Sequence, residues 1–80
     1  MIRVLFFGPV AERVGARQID VPWRAGLRWQ DVRDELRARY PEAFAYVSIV
    51  AVDGERVGDE AEAPLAKDSE IVFMSPFSGG

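Results

Sequence analysis

Apolar residues recur along this chain at two spacings, every second position and every third or fourth, and the switches between them mark out the elements. Residues 2–7, "IRVLFF", alternate as a strand with Ile2, Val4 and Phe6 on one face and Arg3, Leu5 and Phe7 on the other. Both faces are largely apolar. Gly8 and Pro9 punctuate the strand's end, after which Val10 and Val14 stand four apart in a short helical turn closed by Gly15. "RQIDVPW" alternates again, with Ile19 and Val21 pointing one way and Pro22 ending the run. The segment "WQDVRDELRARY" changes period. Trp29, Val32, Leu36 and Tyr40 fall three and four apart, which predicts a helix with one buried stripe, limited by Pro41. Asp31 near its start and Arg37 and Arg39 near its end complement the helix dipole, and Glu35 stands four before Arg39. Leu27 and Arg28 occupy the positions where a Ser, Thr or Asp cap would be expected, so the sequence predicts a fraying start.

"PEAFAY" is too short to assign by period. "VSIVAVDGERV" reads as two strands joined by Asp53-Gly54, the residue pair that a two-residue type I′ turn favours because both central positions need positive φ. The acidic stretch "GDEAEAP" leads to a last strand in "PLAKDSEIVFM", with Ile71 and Phe73 facing one way and Val72 and Met74 the other. Pro76 has no N–H to donate and ends the ladder. Strand, strand, long helix, hairpin and final strand make an α+β layout, in which one main helix covers one face of a mixed sheet. This is the layout of a ubiquitin-like β-grasp, with the last strand central and parallel to the first across a long crossover. The expected division is a β-grasp body at residues 1–76 and a flexible tail at 77–80.

Composition narrows what such a body can do. Eighty residues make one domain with a modest core, and 49% hydrophobic and 29% charged residues are ordinary for a globular protein. The chain has neither cysteine nor histidine, which excludes thiol nucleophiles, Ser-His triads and the commonest zinc sites. Its net charge is −3 and its arginines are scattered, so nucleic acid is not an expected partner. No apolar run is long enough to span a membrane, and "IRVLFF" follows Met1 without a basic stretch and cleavage site. A cytoplasmic location without membrane association is the resulting expectation.

Three features remain as candidate chemistry. Asp59, Glu60 and Glu62 lack the spacing of a calcium loop and read as a solvated loop that can present negative charge to a basic partner. The second feature is surplus hydrophobicity. If Ile2, Val4, Phe6, Ile71 and Phe73 meet the helix, then Leu5, Phe7, Val72 and Met74 lie on the opposite face; either that patch is a protein interface or the "PEAFAYV" segment folds over part of it. The third is the end, "SPFSGG". Two residues without Cβ make the slimmest chain available, able to thread a narrow channel and leave a terminal carbonyl unhindered. An α-carboxylate can be activated by attack on the α-phosphate of ATP, with Mg²⁺ and positive groups supplied by an activating partner; a merely flexible end is the other reading.

The opening "IRVLFFGPVAERVG", the middle "AVDGERV" and the closing "PLAKDSEIVFMSPFSGG" together resemble the molybdopterin synthase small subunit (MoaD) family of ubiquitin-like sulfur carriers. The closing block is the specific part. The resemblance implies that Gly80 holds the reacting carboxyl, adenylated by an E1-like enzyme and then converted to a thiocarboxylate by a sulfur donor system. Phe77, Ser78 and Gly79 would give that carboxyl access to the large subunit's active site. Phe7, Leu5, Val72, Met74 and Pro76 would contact the large subunit and the activating enzyme. The carriers of this family act as non-catalytic co-substrates, bind no metal or cofactor themselves, and give sulfur to cyclic pyranopterin monophosphate within a heterotetramer. Other members of the superfamily serve thiamine or cysteine synthesis, and related β-grasp domains act as adaptors or protein modifiers. Two positions depart from the pattern: Ser75 replaces the first of two prolines, expected to loosen the tail's exit, and Arg56 stands where relatives carry an apolar contact.

Overall fold

The computed structural model describes residues 1–76. The chain runs β1 (Ile2–Phe6), α1 (Pro9–Val14), β2 (Gln18–Val21), α2 (Trp29–Arg39), α3 (Pro41–Phe44), β3 (Ile49–Val52), β4 (Glu55–Val57) and β5 (Glu70–Met74). The strands form one sheet in the order β2-β1-β5-β3-β4. β5 is central and runs parallel to β1, with Val4 opposite Ile71 and Phe6 opposite Phe73; the other pairs are antiparallel. This is the mixed sheet of a ubiquitin-like β-grasp, as the order of periods predicts.

Strand alternation sorts the sheet into two faces. Ile2, Val4, Phe6, Ile71 and Phe73 are all buried against the helical layer, where α2 contributes Trp29, Val32 and Leu36. Each such side chain gains about 1.5 to 3 kcal/mol on full burial, which outweighs anything the exposed charge pairs of α2 offer at about 0.3 to 0.5 kcal/mol. Tyr40 is the exception in the predicted stripe: it is half-buried and stands at the C-cap, with Pro41 opening a further turn.

That turn corrects one of the two readings of "PEAFAYV". Ala43 and Phe44 are buried on the helical side, with the Phe44 ring 4.9 Å edge-on from Phe73 and 6.4 Å from Phe6. Phe6 and Phe73 themselves stack at 6.1 Å. The segment therefore completes the core, and among the described residues no element packs over the opposite sheet face. Four helical residues show too little of a period to announce this, and only the aromatic trio gives the segment its place.

The start of α2 also differs from expectation. Asp31, three residues into the element, accepts the backbone N–H of Arg28 at 3.0 Å and its Nη2 at 2.9 Å. Hydrogen bonds from the Arg28 side chain and then its backbone hold the Asp31 carboxyl below its ordinary value, and the carboxylate raises the Arg28 guanidinium in turn. The cap comes from inside the helix, in the manner of the N3 half of a capping box.

The hairpin is as the sequence predicts. Asp53 at φ 49° and Gly54 at φ 85° form the turn. Asp53 does a second job: its carboxylate accepts the Ser69 hydroxyl at 2.8 Å and the Glu70 N–H at 2.9 Å, while Ser69 Oγ accepts the Ala66 N–H at 2.8 Å. This clasp fixes where β5 begins. The acidic loop is pinned through its backbone, since the Ala61 carbonyl accepts both the Trp29 indole N–H and the Gln30 amide at 3.0 Å. Asp59, Glu60 and Glu62 remain exposed.

Candidate functional site

The uncovered sheet face follows from the register. Leu5 of β1 lies opposite Val72 of β5, which lies opposite Ala51 of β3, while Met74 lies opposite Ile49. All five side chains are half-buried, neither packed in the core nor fully in water. Phe7, one residue past β1, is 46% exposed and donates its backbone N–H to the Phe73 carbonyl at 3.3 Å. Leu5, Phe7, Val72 and Met74 are thus brought together on one face, as alternation predicts. Ile49 and Ala51 join them; their alternation with Val50 and Val52 along the strand was the available signal, and only the pairing register turns it into a position beside Met74.

Charge borders this patch without entering it. Arg3 and Glu70 pair at 3.4 Å across the start of β1 and β5, and Gln18 and Asp20 lie on the adjoining β2 positions. Arg56 lies opposite Ala51 and is exposed, so the departure noted in the sequence falls at the β4 edge of the patch. An apolar centre with a polar rim is the arrangement of a protein interface.

At the same end of the sheet, Ser75 is buried and Pro76 is exposed. Ser75 is the last buried residue among those described, and Pro76, the last described residue, follows it on the surface. The predicted access residues Phe77, Ser78 and Gly79 and the predicted reacting residue Gly80 lie outside the described residues.

The rest of the described surface has little chemistry of its own. A concavity of about 560 Å³ beside α2 is lined by Arg28, Arg33, Asp34 and the Asp59–Glu62 loop, and it is open to solvent. Within it Arg33 meets Asp34 at 3.0 Å and Asp59 at 3.6 Å. Among the described residues no group of three metal-ligating side chains comes together, and no helix is long and apolar enough to cross a membrane.

The described residues form a β-grasp body with a half-buried apolar face beside the end of its central strand. The ThiS family model matches residues 4–80, and the chain belongs to that family. Along its whole length it is similar to the molybdopterin synthase sulfur carrier subunits of Caenorhabditis elegans, at 30% identity over 99% of this chain and 96% of that protein, and of Caenorhabditis briggsae, at 31% with the same coverage. These similarities put the chain in the molybdopterin synthase small-subunit branch of the ubiquitin-like sulfur carriers. The fold is shared with the small archaeal modifier protein 1 of Haloferax volcanii, with a TM-score of 0.75 and 22% identity covering 99% of this chain and 98% of that one. The protein of the same name from Methanosarcina acetivorans superposes with a TM-score of 0.75 at 20% identity, covering 99% and 95%.

Proposed function

We propose that this protein is the sulfur-carrying small subunit of a molybdopterin synthase and works in the cytoplasm. In this reading the Gly80 carboxylate attacks the α-phosphate of ATP on an E1-like enzyme that supplies Mg²⁺, and pyrophosphate leaves. A sulfur donor system then displaces AMP from the acyl-adenylate, which leaves a thiocarboxylate. The large subunit takes the tail into its active site, where the thiocarboxylate sulfur passes to cyclic pyranopterin monophosphate and the carrier returns as carboxylate. The carrier contributes no base and no metal; it contributes the acyl group and the surface that brings it into register.

What carries the proposal is the full-length similarity to molybdopterin synthase sulfur carrier subunits, joined to an apolar face of Leu5, Val72, Met74 and Ile49 beside the end of the central strand. Docking of that face and threading of the tail are separable, so each can be lost without the other.

The test is intact mass after incubation with the activating enzyme, ATP and a sulfur donor, followed by addition of purified large subunit and pyranopterin. The proposal expects one oxygen replaced by sulfur at Gly80 and then formation of the dithiolene. Protein lacking Gly80, or capped there as an amide, should stay folded and gain no sulfur. Sulfide donation by the capped form refutes the role of the carboxyl. A thiocarboxylate that forms but gives no dithiolene refutes the acceptor, and an isopeptide adduct in its place indicates a protein modifier.

A further inference from the structure

One row of side chains crosses the whole of the open sheet face. Residues directly opposite one another in a ladder share a face, so the register sets Gln18, Leu5, Val72, Ala51 and Arg56 side by side from the β2 edge to the β4 edge. The row is polar and uncharged at one end, apolar through its three middle residues, and cationic at the other end. Arg56 is exposed, and its strand neighbours Glu55 and Val57 alternate to the other face, where Val57 packs against the core. No acidic side chain of β4 therefore shares its face.

The remaining charges on this face are matched within the chain. In the neighbouring row Arg3 lies between Asp20 of β2 and Glu70 of β5, and it pairs with Glu70 at 3.4 Å. Asp20 accepts the Gln18 amide at 3.4 Å. Asp53, in the turn that precedes β4, has its carboxylate committed to the Ser69 hydroxyl and the Glu70 N–H. Arg56 differs from all of these: among the described residues no carboxylate comes within ion-pair distance of its guanidinium.

In water an unmatched guanidinium costs nothing. Once a partner covers the apolar middle of the row, the cation at its rim gives up part of its hydration, and that loss is offset only where the partner brings a carboxylate to it. A partner that brings a lysine or arginine to the same place meets both the lost hydration and like-charge repulsion. The whole chain carries a net charge of −3, so general attraction favours a basic partner while the β4 edge asks for an acidic group. The two demands have opposite signs, which makes the local one a test of fit.

We infer that Arg56 is a specificity-determining residue of the docking face, selecting a large subunit that presents a carboxylate to the β4 edge and rejecting one that presents a cation there. The inference rests on the proposed function, which supplies the large subunit as the occupant of that face.

The experiment is calorimetric titration of the full chain with purified large subunit at about 50 and about 500 mM salt, between which the screening length falls from about 14 to about 4 Å. Wild type is compared with Arg56→Lys, Arg56→Ala and Arg56→Glu. Arg24→Glu is the control, since Arg24 is exposed, lies outside the sheet between β2 and α2, and changes the net charge by the same amount. At low salt Arg56→Ala should weaken binding about threefold and Arg56→Glu about tenfold or more, while Arg56→Lys stays within about twofold of wild type. At high salt the loss in Arg56→Glu should shrink to about threefold or less. Arg24→Glu should weaken binding by no more than about twofold, and all the variants should keep the wild-type urea midpoint, as exposed substitutions do. Wild-type affinity in Arg56→Glu at low salt overturns the inference. So does an equal loss in Arg24→Glu, which would assign the effect to net charge, or a loss that persists undiminished at high salt, which would assign it to shape. In each of those cases wild type binds and the proposed function stands. A large subunit that binds none of the proteins, wild type included, refutes the proposed function and the inference with it.

Discussion

Adjacent residues of β5 face opposite ways, so truncating each to alanine should produce opposite phenotypes. Phe73 is fully buried and touches two other rings, at 6.1 Å to Phe6 and 4.9 Å to Phe44. Phe73→Ala loses the transfer energy of the ring and leaves a cavity, about 3 to 5 kcal/mol, with the aromatic pairings accounting for part of it. Val72 is half-buried on the open face, and Val72→Ala should cost about 1 kcal/mol or less. An 80-residue domain has about 4 to 12 kcal/mol in total, so Phe73→Ala brings the body near the edge of unfolding while Val72→Ala does not. Urea denaturation followed by tryptophan fluorescence measures both, since Trp29 is in the core. With a slope of about 1 to 1.5 kcal/mol per molar urea, Phe73→Ala should lower the midpoint by about 2 to 5 M. Binding to the large subunit should show the reverse order at temperatures where both are folded. A larger loss of stability from Val72→Ala than from Phe73→Ala would mean that the two faces have been exchanged.

Met74→Asp should weaken binding to the large subunit by about tenfold or more and leave the unfolding transition nearly unchanged, as measured by calorimetric titration and urea melts; unaltered affinity would remove the patch from the interface. Asp31 is held below its ordinary value of 3.8 by Arg28, so the stability it contributes is present above that value and is lost as pH falls through its lower folded value. Helicity of the wild type followed by circular dichroism should therefore decline on acidification below 3.8, and Asp31→Asn should remove that part of the decline. Gly54 has φ 85° with nothing near its Cβ position, so Gly54→Ala should cost only the backbone term, about 1 to 2 kcal/mol in urea melts.

Most of the framework was legible because its residues carry a period: the alternation in residues 2–7 and 70–74, the stripe at Trp29, Val32 and Leu36, and the Asp53-Gly54 turn each have a local signature. What the sequence concealed lies where a residue's role depends on a distant partner. Phe44 is one apolar residue in a four-residue turn, and its place comes from Phe6 and Phe73, far away in the chain. Asp31 reads as a dipole complement, and its service as a cap depends on a backbone N–H that every residue shares. The loop at Asp59–Glu62 reads as free solvent-facing charge because its anchors are carbonyl oxygens of Asp59 and Ala61, which no composition displays. On the candidate site, the four predicted residues of the open face were visible from alternation alone. Ile49 and Ala51 required the register between β3 and β5, a long-range pairing.

The parallel pairing of β1 with β5 has a consequence for how the molecule is made. β5 comes last in chain order among the strands, and until residues 70–74 arrive the β1–β2 and β3–β4 pairs have no strand between them and the core lacks Ile71 and Phe73. A polypeptide abandoned before that point has neither a folded body nor a docking surface, and quality-control proteases meet it as an open chain. Interrupted synthesis should thus yield fragments for disposal in place of decoys that occupy the large subunit with nothing to deliver.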